Sequence, residues 1–396
     1  MRRHSLSPRG DWQSRVEKHG LTFHTLDDGS PYWDESAYWE FSAGEIDRLE
    51  AATAEIQRLA LAAGDMILDR SADRGWLERM CIPAAAVERI RETWQSEPPA
   101  LYGRLDLAYD GRQIKLLEYN ADTPTCLVEA AVAQWYWLED RFPEADQFNS
   151  LHEKLVAKWK DLEPYVSQPV YFAHDGGEED AMTITYLRDT AQQAGLRTEA
   201  LAMRQIGWED AGGRFVDLKR ESIRTIFKLY PWEWVLKDAF GVHALATMDS
   251  VSQKPAGGKV QWIEPIWKMM WSNKALLAIL WELNPNHELL LPAYLDGPRS
   301  MQNYVRKPLF GREGAGVSVF RNWAEVDAAV RENPLDANAA PGKYVYQALA
   351  SMAQADGKTA VIGSWLINGE PAGMGIRESD GLVTTNTSRF VPHLFR

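Results

Sequence analysis

LYGRLDLAYDGRQIKLLEYNADTPTCLV, residues 101–128, reads as strand, Asp-Gly turn, strand and an abrupt helix start. Tyr102 to Tyr109 alternates apolar and polar residues, and Gln113 to Asn120 does so loosely, as two half-buried strands do. Asp110-Gly111 is a hairpin signal, and loop length decides which side chains share a face. A two-residue loop puts Arg104 and Asp106 on one face and Glu118 and Asn120 on the other. A three-residue loop with Gly111 left-handed puts all four together. Both registers stand at this point. The four-residue face would carry a guanidinium, two carboxylates and an amide, which is costly to bury unless paired or bound to a cation.

Asp, Glu and Asn supply hard oxygen ligands suited to Mg²⁺, which keeps waters and bridges to substrate phosphates. Arg104 would meet a phosphate or carboxylate with a planar fork of donors. The competing reading is a surface hairpin with an ordinary Arg–Glu cross-strand pair. Thr123-Pro124 then predicts an N-cap with Pro at the first helical position, opening a helix through Cys126 to about Glu139. A helix start beside such a face suits a substrate anion.

The 396-residue chain has room for two or three domains. Its 17 Trp suit base or sugar stacking, or core filling, and we read core filling. A net charge of −13 argues against a nucleic-acid surface and suits a cationic small molecule. Two cysteines, Cys81 and Cys126, are too few for a disulfide scaffold or a Cys-based zinc site. The start lacks a signal-peptide core and no apolar run reaches membrane length, so a cytoplasmic protein is expected.

Ser42 with Glu45 is a capping box opening a long amphipathic helix. Further helices are expected at about Gly75–Met80, Ala84–Trp94 and Gln147–Leu162. Strand, helix and strand at Pro169–Ala173, Glu178–Ala194 and Arg197–Met203, with another strand at Arg224–Leu229, predict a parallel α/β unit. Ligands sit beyond the carboxyl ends of such strands. Glu178, Glu179 and Asp180 fall there. They would grip an amine, or merely favour a first helical turn.

Lys274 opens the apolar helix Ala275–Leu283, where a cation opposes the dipole unless an anion is bound. Strand-like Gln302–Lys307 leads into Pro308-Leu309-Phe310-Gly311-Arg312-Glu313-Gly314-Ala315-Gly316, then Val317–Phe320. This Gly hairpin after a lysine is neither a P-loop nor a dinucleotide fingerprint; it is similar to a phosphate-covering lid. Trp323–Arg331 reads as an amphipathic helix, Asn333–Pro341 as a linker, and Tyr344–Leu349 as a strand whose backbone could receive adenine. Asn368-Gly369 is a strong hairpin signal. No nucleophile motif appears.

Taken together, GRLDLAYDG, LLEYNADTPT, SNKALLAILWELNPNH, RKPLFGREGAGV, YVYQAL and IGSWLINGEPAGMGIRE with LVTTNTSRF resemble the glutathionylspermidine synthetase family of ATP-grasp ligases. The resemblance spans roughly residues 100–390. It implies an α/β ATP-grasp fold with a pre-ATP-grasp unit, ATP and Mg²⁺, and ligation of an acid such as glutathione to an amine such as spermidine. It implies a form without the family's N-terminal amidase domain. The expected organisation is a mainly helical region 1–100, a metal-binding hairpin and helix 101–165, a pre-ATP-grasp-like unit 166–255, and an ATP-grasp region 256–396 with its lid at about 300–345.

By the same resemblance Asp106, Glu118 and Asn120 are Mg²⁺ ligands, and Arg104 and Arg377 are catalytic. Lys274, Lys307, Glu313, Gly314, Gln347, Ala348, Leu349, Ala350, Leu382, Val383 and Thr384 meet ATP. Thr123, Glu178 and Glu179 meet the other substrates. Two departures stand out. Thr123-Pro124-Thr125 stands where serines are expected, and Leu229 stands where a hydroxyl is expected, both beside the thiol peptide. An ATP-grasp kinase or ATPase, and an inactive binding protein, remain the alternative readings.

Overall fold

A computed structural model describes residues 1–72, 74–249, 254–328 and 343–396. Its centre is an antiparallel sheet in the order Arg389–Val391, Glu370–Ser379, Lys358–Ile367, Tyr102–Tyr109, Ile114–Asn120. Asn368 and Gly369 both have positive φ, 53° and 77°, the requirement of the two-residue turn that joins the two longest strands. The helix Ala43–Leu68 opens on the Ser42–Glu45 capping box. Its stripe of Ile46, Leu49, Ile56 and Leu59 shares one core with Leu105, Leu107 and Leu116 of the sheet.

A second, four-stranded sheet is wholly parallel, ordered Gln261–Ile263, Thr225–Leu229, Val170–His174, Thr198–Ala202. The helix Glu178–Gln193 follows Val170–His174. A third, antiparallel sheet carries the glycine hairpin, in the order Ala293–Tyr294, Tyr344–Ala348, Tyr304–Pro308, Ser318–Arg321, Ala324–Ala328. The chain ends meet: Arg2–Ser5 pairs with Ala37–Phe41, which pairs with His393–Phe395. Trp33, Trp76, Trp137, Trp159 and Trp271 are fully buried, so tryptophan does fill core here.

Three local expectations are corrected. The helix after the hairpin covers 127–141, not Pro124 onward, and Thr123-Pro124 does not cap it. The Pro124 and Thr125 carbonyls accept from the Tyr102 hydroxyl (3.2 Å) and Arg104 Nη1 (2.7 Å), and Cys126 is left-handed at φ 68°. These ties hold the segment off helical geometry. The next helix begins at Leu151, not Gln147, because Gln147 turns its amide onto the Gln134 and His393 carbonyls at 2.9 and 2.8 Å. Trp323–Arg331 is not a helix over its described part: Ala324–Ala328 is a strand paired with Ser318–Arg321. The sheet's edge hydrogen bonds override the helical period there. Residues 329–331 and the linker Asn333–Pro341 lie outside the described residues.

Candidate active site

The hairpin loop is neither of the two lengths expected. Asp110 accepts from the amides of Arg112 and Gln113 at 2.9 and 2.8 Å, so four residues turn and Tyr109 pairs with Ile114. That register alone would divide the polar residues between two faces. A bulge restores the phase: Leu107 pairs with Leu116 but Asp106 pairs with Glu118, and Arg104 with Asn120. Leu117 is the extra residue. Arg104, Asp106, Glu118 and Asn120 therefore share one face.

The bulge also anchors the lid sheet. Leu117's carbonyl accepts from Lys307 Nζ at 2.8 Å. Gln347 donates to the Leu116 carbonyl at 2.9 Å and accepts from Lys307 Nζ at 2.8 Å. Carbonyls that irregular pairing frees are thus satisfied by side chains of the Tyr304–Pro308 and Tyr344–Ala348 strands. The amides of Ala348 and Leu349 donate to the Pro292 and Asn303 carbonyls.

Charge is densely paired. Arg104 forks onto Asp106 at 2.7 and 3.1 Å. Gly363 lies beneath it, where a Cβ would come within 3.0 Å of Arg104 Cδ. Asn120 Nδ2 lies 3.3 Å from Asp106 and 3.1 Å from Glu118. Lys274 Nζ is 3.2 Å from Glu118 and donates to the Gly311 carbonyl at 2.6 Å. Glu118 thus supplies the anion that the helix-opening lysine was expected to need. Burial works against the Glu118 charge, but Lys274 and Lys307 outweigh it and hold the carboxyl at about 2. Burial lowers Lys307 to about 8 against the pull of Glu118. Burial raises Asp106, opposed by Arg104.

Asp106, Glu118 and Asn120 converge without forming a closed cage: among the described residues no three His, Cys, Asp or Glu side chains are arranged to hold a metal. Two carboxylates and an amide fit Mg²⁺, which binds through one or two carboxylates, waters and substrate phosphates.

These groups border a cavity of about 680 Å³. Every candidate site residue from the sequence lines it except Glu178. Glu178 is exposed, and the acidic wall is instead Asp175, Glu179 and Asp180. Asp180 lies on one helical stripe with buried Ile184, Leu187 and Ala191, a spacing that marks it as inward-facing. Burial, with Glu179 and Asp175 nearby, raises Asp180 to about 7. Leu229 lines the cavity where a hydroxyl was expected.

Arg312 of the glycine hairpin is a residue whose role sequence reasoning missed, although its motif was plain. It donates to Glu233 at 2.6 Å and to the Thr123 hydroxyl at 3.4 Å, and stacks 5.2 Å from the Trp234 ring centre. One side chain so ties the lid to the parallel-sheet unit and to the segment after the hairpin. Asp122 was also passed over; it is buried against Lys228 at 2.6 Å.

Comparison with known proteins adds the following. A family model described as glutathionylspermidine synthase preATP-grasp matches residues 3–396. A Haemophilus influenzae protein provisionally named an acid–amine ligase is 38% identical over 400 residues, covering 98% of this chain and 97% of its own. The trypanothione synthetase of Crithidia fasciculata is 29% identical over 329 residues, 78% of this chain but 49% of its own. The solved structure of a glutathione synthetase-like effector from Globodera pallida aligns at TM-score 0.53 and 9% identity, covering 98% of this chain and 96% of its own. That last likeness is one of fold.

Proposed function

Because the chain belongs to the glutathionylspermidine synthase family of ATP-dependent, amide-forming ATP-grasp ligases, we propose that it joins a carboxylic acid to an amine through an acyl phosphate, releasing ADP and phosphate. The acid we propose is glutathione or another peptide, and the amine a polyamine. The observation that carries this reading is the bulge-set face of Arg104, Asp106, Glu118 and Asn120, with Lys274 and Lys307 against it, all lining one cavity.

The chemistry follows from charge. The acid's carboxylate attacks the γ-phosphorus of ATP, and negative charge spreads over the transferred oxygens. Lys307 and Arg377 line the cavity as fixed cations for that charge. Mg²⁺ held by Asp106, Glu118 and Asn120 would neutralise the phosphates when bound. Arg104, already forked onto Asp106, is oriented to meet the oxyanion that forms when a neutral amine attacks the acyl phosphate. The carboxylates Asp175, Glu179 and Asp180 at the cavity wall suit the amine's remaining cationic groups. The 309–317 loop covers the site against water, which would otherwise hydrolyse the acyl phosphate. No helix among the described residues is long and apolar enough to cross a membrane, which is compatible with the cytoplasmic setting we propose.

Hydroxamate formation tests the reading: Mg-ATP, hydroxylamine, and a panel of peptides and small acids that includes glutathione. A hydroxamate formed with one acid identifies the donor. ATP consumed without hydroxamate would instead mark a kinase or ATPase.

A further inference from the structure

Arg377 is held from behind by groups that the reaction scheme leaves unused. Its Nε–H donates to the Ser388 carbonyl (2.9 Å), and its Nη2 to the Thr385 and Asn386 carbonyls (2.9 and 3.2 Å). One Nη1–H meets Cys126 Sγ at 2.9 Å. A guanidinium has five N–H donors, so among the described residues one Nη1–H is left for a ligand. Beyond the thiol the nearest contact is Tyr32; the Thr125 hydroxyl and Glu179 Oε1 lie farther off, each 4.0 Å from Sγ. Cys126 Sγ lies 3.3 Å from the Tyr32 hydroxyl, which donates to Glu129 Oε1 at 2.8 Å. The Tyr32 ring also lies 5.1 Å from the guanidinium. Thiol, phenol and carboxyl are all buried.

We propose that Tyr32 and Glu129, acting through Cys126, are positioning residues for Arg377: a buried donor chain that ends on the Glu129 carboxyl and fixes the guanidinium for the incoming phosphoryl group. The inference rests on the reading of Arg377 given above.

Two features show that this is more than packing. Glu129 is fully buried, yet its Oε2 has no hydrogen-bond partner among the described residues. An apolar side chain would avoid that desolvation cost. Glu129 also opens a π-helical turn, Glu129–Ala133, a local distortion common at functional sites. The groups facing it are Tyr32 from the N-terminal segment, Cys126 from its own approach, Glu179 from the Glu178–Gln193 helix and Arg377 from the central sheet. Burial and Glu179 raise Glu129 to about 7, against its own backbone N–H, the hydrogen bond from Tyr32 and the charge of Arg377. An anion arriving at Arg377 favours the protonated carboxyl, so its binding takes up a proton.

Sulfate binding to the Mg-ADP complex of the full chain tests this, because sulfate is a tetrahedral dianion that does not titrate near neutrality and no acid substrate is needed. Tyr32→Phe should weaken sulfate about tenfold, the loss of one charge-assisted contact, with Mg-ADP affinity held within about twofold. In the wild type, sulfate affinity should fall as pH rises through about 7. Glu129→Gln keeps an acceptor for Tyr32 and should flatten that fall. Asp180 and Lys307 titrate nearby, so the quantity read is the difference between the two curves. Superimposable curves, unchanged sulfate binding in Tyr32→Phe, or no sulfate binding by the wild type would each overturn the inference. Arg377→Ala with wild-type sulfate affinity would overturn the placement of Arg377 itself, and so distinguish failure of the site reading from failure of the chain behind it.

Discussion

Asp180 shows what one carboxyl does at this wall. With its pKa raised to about 7 by burial and by Glu179 and Asp175, it is half protonated at neutral pH. A bound cation favours the charged form, so amine binding releases a proton and strengthens as pH rises through about 7. With spermidine as the probe, its KM should fall from about pH 6 to about pH 8, and Asp180→Asn should flatten that dependence and raise KM at the upper end about tenfold. A KM profile that Asp180→Asn leaves unchanged would remove Asp180 from the amine site. Arg104 and Glu118 are predicted to be indispensable to turnover. Arg104→Ala leaves half-buried Asp106 without its fork, and Glu118→Ala removes the ion-pair partner of Lys274 and the nearby negative charge that Lys307 feels. Each should lower kcat by at least about a hundredfold in the hydroxamate assay; activity retained in both would sink the assignment.

At the scale of elements, the hairpin face depends on what lies under it. Gly363 of the Lys358–Ile367 strand pairs with Asp106, and its missing side chain lets Arg104 lie across to that carboxylate. Gly363→Ala would push Arg104 Cδ from 3.0 Å. Because the neighbour that must yield is a side chain, the fold should survive. Melting temperature should change by no more than about 4 °C while kcat falls about tenfold or more; an unchanged kcat would mean that the fork to Asp106 is dispensable. The same hairpin shows how far sequence carries. Alternation located both strands and all four polar residues, but loop length could not be read from Asp110-Gly111, since the Asp110 side chain extends the turn to four residues. The bulge left a trace, Leu116-Leu117, which breaks the alternation just before Glu118. Where tertiary hydrogen bonding decides, the sequence misled. Ala324–Ala328 has a helical period but completes a sheet edge, with Asp327 accepting from the Leu382 amide at 2.7 Å. The sequence offered Glu178, Glu179 and Asp180 together and the resemblance singled out the first two; which of them face the cavity is set by how the helix packs on the parallel sheet, which turns Glu178 outward.

Across the whole molecule, three sheets meet at one cavity, and their closure is a charge problem. The lysine-bearing groups and the acidic wall belong to different sheets, so on the proposed mechanism the glycine hairpin would have to join them while an acyl phosphate persists. Arg312 is the side chain that does so. It reaches Glu233, which follows the parallel sheet, and Thr123, which follows the hairpin of the central sheet. Glu233 is buried, and a buried ion pair is strongly weakened by losing either partner. If this contact holds the loop shut, its loss should not stop phosphoryl transfer, because Lys274 and Lys307 keep their own partners in Gly311, Glu118, Leu117 and Gln347. It should instead admit water. Arg312→Ala is therefore expected to retain ATP consumption while amide yield per ATP falls about tenfold, and Glu233→Gln should show a milder form of the same uncoupling. Measuring phosphate release against hydroxamate in the same reaction reads this ratio directly. Equal losses of both products would place Arg312 in the chemistry rather than in the closure, and a variant as tightly coupled as wild type would leave the lid without its latch.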